Sequence, residues 1–173
     1  PLWGGGYAAH VLALQASGGI ASGPGAGPFQ YRLGGASGQL EQLTGLELFG
    51  GGFLLFPVRG YPPGSRFGRL AWSATAEYRF PLWFINRGFR VWPLHADRMI
   101  GSLFFDAGNA WGPDLSASGF QNALRDPLAS LGAEITTEML GLYRARVRLR
   151  VGVALPLTGG GDAVGYVRVG LPF

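Results

Sequence analysis

The sequence predicts an all-β fold, an antiparallel transmembrane β-barrel, on the strength of three observations. Apolar and polar residues alternate almost without a break from Arg69 to Phe80, and a period of two indicates a β-strand whose faces meet different surroundings. Aromatic residues flank small ones on the apolar face of that strand, as in strands that cross a bilayer. Of all residues 47% are hydrophobic and 14% charged, yet no run of about 18 apolar residues could form a transmembrane helix.

Composition narrows the class of protein further. The chain contains 31 Gly and no Cys, which suits a β protein with many turns and no disulfide framework. Every one of its 14 basic residues is Arg, and the formal net charge is +4. The start of the chain, from Pro1 to Tyr7, has neither the charged region nor the apolar core of a signal peptide. We therefore expect this sequence to lack its natural N-terminal part.

The first elements are a strand, a loop and a short strand. Tyr7 to Ala16 is predicted as a strand, and the Gly/Ala/Ser/Pro-rich stretch from Ser17 to Pro28 as a loop. Phe29 to Leu33 is a short strand that ends at two glycines. The residues 35–68 form a long loop, and its segment from Phe53 to Val58 is too apolar to lie in water. We therefore expect this loop to pack inside the fold; loops of such length are uncommon in a compact fold and are usually functional or disordered.

The later strands repeat the period of two. They are predicted at Arg69 to Phe80, Ile100 to Trp111, Leu128 to Glu138, Leu142 to Leu155 and Val164 to Phe173, with Pro81 to Asp97 as a connection. Together the segments predict about seven antiparallel strands in one domain, 1–173, with no helix.

One strand carries a row of four arginines, Arg144, Arg146, Arg148 and Arg150. Four charged side chains cannot be buried unpaired, so we expect this face to be wet and to pair with Glu134 and Glu138 on the adjacent strand. The opposite face is apolar and meets either lipid or a second sheet. Because aliphatic rather than aromatic residues separate the arginines, no nucleic-acid partner is predicted.

Four motifs are weak singly but occur in a telling order: Val58-Arg59-Gly60-Tyr61, Ala76-Glu77-Tyr-Arg-Phe80, Phe104-Phe-Asp106-Ala-Gly108, and a last strand with Val167, Val169, Leu171 and Phe173. Taken alone, the first is a surface turn and the last an ordinary terminal strand. Together they resemble the BamA superfamily of outer-membrane assembly and translocation barrels, over roughly Phe29 to Phe173.

This resemblance implies a role for each motif. In the family, a long loop folds back into the barrel with an Arg-Gly-Phe/Tyr tip, here Arg59, Gly60 and Tyr61. Its arginine pairs with acidic residues on the next two strands, by position Glu77 and Asp106. The closing strand, with Val167, Val169, Leu171 and Phe173, is similar to the C-terminal signal of outer-membrane barrels.

The family also implies surroundings and partners. Its barrel has sixteen strands, so the chain would supply the C-terminal part, about seven strands, and lack the N-terminal strands and the periplasmic POTRA domains. The implied location is the bacterial outer membrane. The implied partners are the lipid bilayer, lipopolysaccharide, and client outer-membrane or secreted proteins.

The chemistry of arginine fits the pairing of Arg59 with Glu77 and Asp106 that the resemblance implies, here called the loop-tip lock. The planar fork of an arginine can hold two carboxylates at once, and Gly60 permits close backbone approach. Arg59 held by Glu77 and Asp106 would fix a flexible loop in the lumen.

No catalytic, metal or cofactor site is predicted. The two histidines, His10 and His95, lack a nucleophile nearby, and Asp97 beside His95 does not supply one. We expect a protein that is not an enzyme and needs no cofactor. Three alternatives stay open: a passive porin-like channel with an Arg-lined lumen, a barrel hydrolase, and a soluble β-sandwich.

Overall fold

The computed structural model describes residues 10–23, 30–35, 55–88, 94–112, 124–141, 145–159 and 161–170. These residues form β-strands and no helix. The strands are β1 (Val11–Ile20), β2 (Tyr31–Leu33), β3 (Leu55–Phe56), β4 (Arg66–Gly68), β5 (Leu70–Gly88), β6 (Leu94–Trp111), β7 (Leu128–Gly141), β8 (Ala145–Pro156) and β9 (Val164–Gly170). In this part of the chain, no helix is long and apolar enough to cross a membrane.

Six strands form one antiparallel sheet in the order β1-β5-β6-β7-β8-β9. Within the described residues the sheet is open, with β1 and β9 at its edges, so closure into a barrel stays a prediction. The long connections, 21–69 and 112–127, leave one end of the sheet, and the short ones, 89–93 and 142–144, leave the other.

The two faces of this sheet differ in polarity as the alternation predicts. One face, here called the polar face, includes the buried side chains of Ser73, Glu77, Ser102, Asp106, Ser130, Glu134, Thr136 and Arg168. The other, the apolar face, is exposed and includes Leu103, Phe105, Leu131, Ile135, Val151, Val153, Leu155, Val167 and Val169. Polar side chains are thus buried and apolar ones exposed, the reverse of a soluble sheet.

A second, small sheet covers one end of the polar face. It contains β3, β2 and β4 in that order; β2 pairs with β3 in parallel and with β4 antiparallel. Its fully buried Leu33, together with Phe56 and Val58, packs on Ala71, Ala110 and Leu128 of the large sheet. The main apolar core of the described residues therefore lies between the loop and the large sheet, here called the wall, where residues 55–68 of the predicted loop lie against the polar face.

Several predicted boundaries are wrong. Pro81 to Asp97 is not a connection throughout, because β5 continues to Gly88 and β6 begins at Leu94. Register shifts between Pro81 and Trp83 and between Phe84 and Arg87 interrupt the alternation while strand pairing continues.

The first strand and the long loop also need correction. β1 runs to Ile20, four residues beyond the predicted end, because Gly18 and Gly19 still pair with β5. Inside the predicted irregular loop, 55–56 and 66–68 are short strands. Residues 7–9, 36–54 and 142–144 lie outside the described residues, as do Leu171 and Phe173.

Candidate functional site

The tip of the long loop is a tight turn at Arg59 and Gly60, held on the polar face. Val58 is fully buried and forms a bridge with Gly35, whose N–H also donates to the Tyr61 carbonyl at 2.8 Å. Gly60 has a φ of 90°, a conformation that side chains with a Cβ rarely adopt. A Cβ there would lie 3.1 Å from the Cβ of Ala154 on β8. Glycine thus lets the turn lie directly against the wall.

Arg59 binds Asp106 of β6 through three hydrogen bonds. Its Nε donates to Oδ2 at 2.6 Å and its Nη2 to Oδ1 at 2.7 Å. Its backbone N–H donates to Oδ2 at 3.1 Å. Both residues are buried, at 5% and 1% exposure. This is the bidentate fork-to-carboxylate geometry that distinguishes arginine from lysine.

Two further carboxylates and an aromatic ring surround the same guanidinium group. Nη1 of Arg59 lies 3.7 Å from Glu77 Oε2 and 3.9 Å from Glu134 Oε2. The Cζ atom lies 3.4 Å from the centroid of the Phe104 ring, a cation–π arrangement. The loop tip therefore contacts β5, β6 and β7 through one side chain.

The buried charge of Arg59 is stabilised where it lies. Burial alone disfavours the charged form, but the hydrogen bonds and the negative charge of Asp106 outweigh it, so the pKa of Arg59 is raised above its ordinary value. Arg59 is a permanent cation, and removing it would leave buried carboxylates without their partner.

Tyr61, the last residue of the tip motif, reaches the strand ends. Its hydroxyl lies 2.8 Å from the carbonyl oxygens of both Ala129 and Thr158 and accepts a hydrogen bond from the Thr158 N–H at 3.1 Å. Its ring packs against the apolar core under the loop. Tyr61 thereby links the tip to the ends of β7 and β8.

Two of the four arginines in the row contact the glutamates that were predicted as their partners. Nη2 of Arg148 donates to Glu138 Oε1 at 2.8 Å, and Nη1 of Arg150 lies 3.5 Å from Glu134 Oε1. Arg146 is exposed, and Arg144 lies outside the described residues. Arg98 on β6, which the sequence reasoning did not single out, donates to Glu138 Oε2 at 2.7 Å.

The structure also assigns a partner set to the last strand that sequence reasoning missed. Val167 and Val169 are exposed on the apolar face, whereas Tyr166 and Arg168 are buried on the polar face. The Tyr166 hydroxyl donates to Glu134 Oε2 at 3.0 Å, and Arg168 forms an ion pair with the same oxygen. Alternation placed Tyr166 and Arg168 on one face, but only strand register could place them beside Glu134.

Comparison with known families agrees with this geometry. The family described as the Omp85 superfamily domain matches residues 49–160, a range that includes the loop tip and the carboxylates around it. No curated protein and no solved structure matches the chain. The matched family is consistent with the resemblance to the BamA superfamily, which is confirmed at that level. By its sequence the chain belongs to the Omp85 superfamily.

Proposed function

We propose that this chain is the C-terminal part of a BamA-type β-barrel in the bacterial outer membrane. The barrel assists the insertion of outer-membrane proteins or moves a substrate across the membrane, without catalysing a reaction. The observation that carries the proposal is Arg59, buried at 5% exposure and bound bidentately to Asp106 at the tip of a loop folded onto the polar face.

The distribution of polarity supports the membrane location. Exposed aliphatic and aromatic side chains cover the apolar face, and buried charged ones cover the polar face. Outer-membrane barrels have this arrangement, with lipid outside and a polar interior, and they have short turns at one end and long loops at the other. The bilayer, including lipopolysaccharide, is accordingly the partner of the apolar face.

The mechanism assigns a mechanical role to the tip. Arg59 and Tyr61 contact β6, β7 and Thr158 just beyond the end of β8, so a docked tip stiffens this side of the wall. An edge strand on a stiffened wall can pair with an incoming strand through main-chain hydrogen bonds. The clients are therefore extended segments of outer-membrane or secreted proteins.

The test is Arg59→Ala in the full-length protein, with Arg66→Ala as the matched control. Arg66 lies in the same loop; it pairs with Asp126, whose side chain is 71% exposed, and donates one hydrogen bond to Asn109 Oδ1 at 2.6 Å. We expect Arg59→Ala to lower client assembly or substrate export roughly tenfold or more, because buried carboxylates lose their partner. Arg66→Ala should lower it much less, because it removes an exposed ion pair and one hydrogen bond but leaves no buried carboxylate without a partner. Resistance of the variants to protease checks that both are folded; unchanged activity in folded Arg59→Ala would exclude the mechanism.

The arginine row favours a second candidate, a passive channel. Arg146, Arg148 and Arg150 follow one another on the polar face of β8, and clustered cations attract anions. A channel predicts conductance with anion preference that does not depend on Arg59. Planar-bilayer recordings of the parent protein and of Arg59→Ala separate the two candidates.

A further inference from the structure

The last strand of the sheet is held by side chains that reach beyond its neighbouring strand. Glu134 on β7, Gly152 on β8 and Tyr166 on β9 lie in one row across the sheet. β7 and β9 are two strand spacings apart, about 10 Å, and do not pair with each other. Even so, the Tyr166 hydroxyl donates to Glu134 Oε2 at 3.0 Å.

Gly152 makes this contact possible. A Cβ at position 152 would lie 2.7 Å from both the Cζ and the hydroxyl oxygen of Tyr166, closer than real Cβ atoms come. The tyrosine ring therefore lies over the space that a side chain on β8 would occupy. The glycine leaves a path from β9 to β7 along the polar face.

Arg168 completes the arrangement from the same strand. It is buried and forms an ion pair with Oε2 of Glu134, the oxygen that Tyr166 contacts. Glu134 is itself buried at 2% exposure, and its other oxygen faces Arg150 at 3.5 Å and Thr136 at 3.4 Å. The Glu134 carboxylate thus contacts side chains of β7, β8 and β9.

We propose that Tyr166, Arg168 and Glu134 form a clasp that sets the register of β9 across Gly152. The backbone ladder alone does not distinguish registers that differ by two residues, because the same faces stay in place. β9 comprises seven of the described residues, and its outward residues Val167 and Val169 are interchangeable in chemistry. Tyr166 and Arg168 both reach Glu134 in one register only. This proposal goes beyond the proposed function and does not depend on it.

Disulfide trapping measures the register, because the 173 residues contain no Cys. Val167→Cys is combined with a partner on β8 in the full-length protein in its membrane. Val151→Cys reports the native register, in which Val151 faces Val167. Val153→Cys and Leu149→Cys report slips of two residues in the two directions. Disulfides need Cβ atoms about 3.5–4.5 Å apart, so a diagonal pair at about 7–8 Å does not form one.

In the otherwise unchanged chain, Val167→Cys should form a disulfide only with Val151→Cys. Tyr166→Phe keeps the ring and removes one hydrogen bond to a charged group, which should raise the ratio of slipped to native disulfide about tenfold. Gly152→Ala should raise it as well, because its methyl group displaces the Tyr166 ring. The matched control is Gly165→Ala on β9, where an added Cβ meets nothing within 4 Å.

The outcomes separate the clasp from the loop-tip lock. Arg59→Ala should change the ratio less than Tyr166→Phe does, because Nη1 of Arg59 is 3.9 Å from Glu134, beyond hydrogen-bond distance. The clasp is wrong if Tyr166→Phe leaves the ratio unchanged, if Gly165→Ala matches Gly152→Ala, or if the native pair fails to form.

Discussion

Arg59 uses every part of its guanidinium group. Nε and Nη2 bind Asp106, Nη1 faces two glutamates, and the flat face of the group lies on Phe104. Lysine offers a point charge on a flexible stem and could supply neither the paired hydrogen bonds nor the stacked plane. The tip therefore depends on arginine in particular and not on positive charge alone.

Asp106→Asn tests the energy of this contact. The buried Arg59 would keep its charge while its carboxylate partner becomes neutral, so we expect the free energy of unfolding to fall by about 3–5 kcal/mol. Urea unfolding in detergent micelles measures the change. The control is Asp126→Asn, which alters the exposed pair with Arg66 and should cost less than about 1 kcal/mol. Equal losses in the two variants would contradict a buried lock.

For single residues, the sequence predicted which side chains belong to the site better than it predicted which side chains contact one another. Arg59, Glu77 and Asp106 were named from the motifs, and the structure places both carboxylates within 4 Å of the Arg59 guanidinium group. The link from Glu134 to Tyr166 and Arg168 was missed. It depends on the register of three strands, and a period of two leaves registers that differ by two residues equivalent.

For the strands, the sequence predicted which face each side chain lies on, but it did not predict where the strands begin and end. Alternation in β6 and β7 places Asp106 and Glu134 on the polar face, and Phe105 and Ile135 on the exposed face, as expected. It fails beyond Pro81, where two register shifts change which residues face outward. β2, β3 and β4 are two or three residues long, too short to show any period.

The position of the small sheet can be tested without disturbing the loop-tip lock. Nη1 of Arg66 on β4 donates to Asn109 Oδ1 on β6 at 2.6 Å, so a short bifunctional thiol reagent should link Arg66→Cys to Asn109→Cys efficiently. Phe67→Cys is the matched control, because the Phe67 side chain is 49% exposed and β4 turns it away. Mass spectrometry of the digested protein identifies the linked peptides. Equal linking from both positions would contradict this packing.

In the large sheet, polar and charged side chains are buried on one face and large apolar ones are exposed on the other, while a separate apolar core lies under the loop. If the apolar face meets lipid, Ile135→Arg should lower the free energy of unfolding in phospholipid vesicles by about 2–4 kcal/mol. Leu157→Arg, at the loop end where the side chain is 49% exposed, should cost at most about 1 kcal/mol, as expected near an interface. Similar small effects at both positions, in a protein that stays soluble without detergent, would favour the β-sandwich alternative.

The opposite polarity of the two sheet faces was predictable at this scale because it needs only composition and alternation. Closure of the sheet was not, since it depends on pairing between β1 and β9 or on strands beyond them, and no local pattern specifies the number of strands. Family membership followed from the order of motifs around Arg59, Glu77 and Asp106, which composition alone would not have revealed.

The acidic partners of Arg59 all follow it in the chain. Arg59 contacts Glu77, Asp106 and Glu134, and the apolar residues under the loop pack on Ala71, Ala110 and Leu128. Arg59 is therefore synthesised before the three strands that hold it, β5, β6 and β7, and its full set of contacts requires all three strands to be in place.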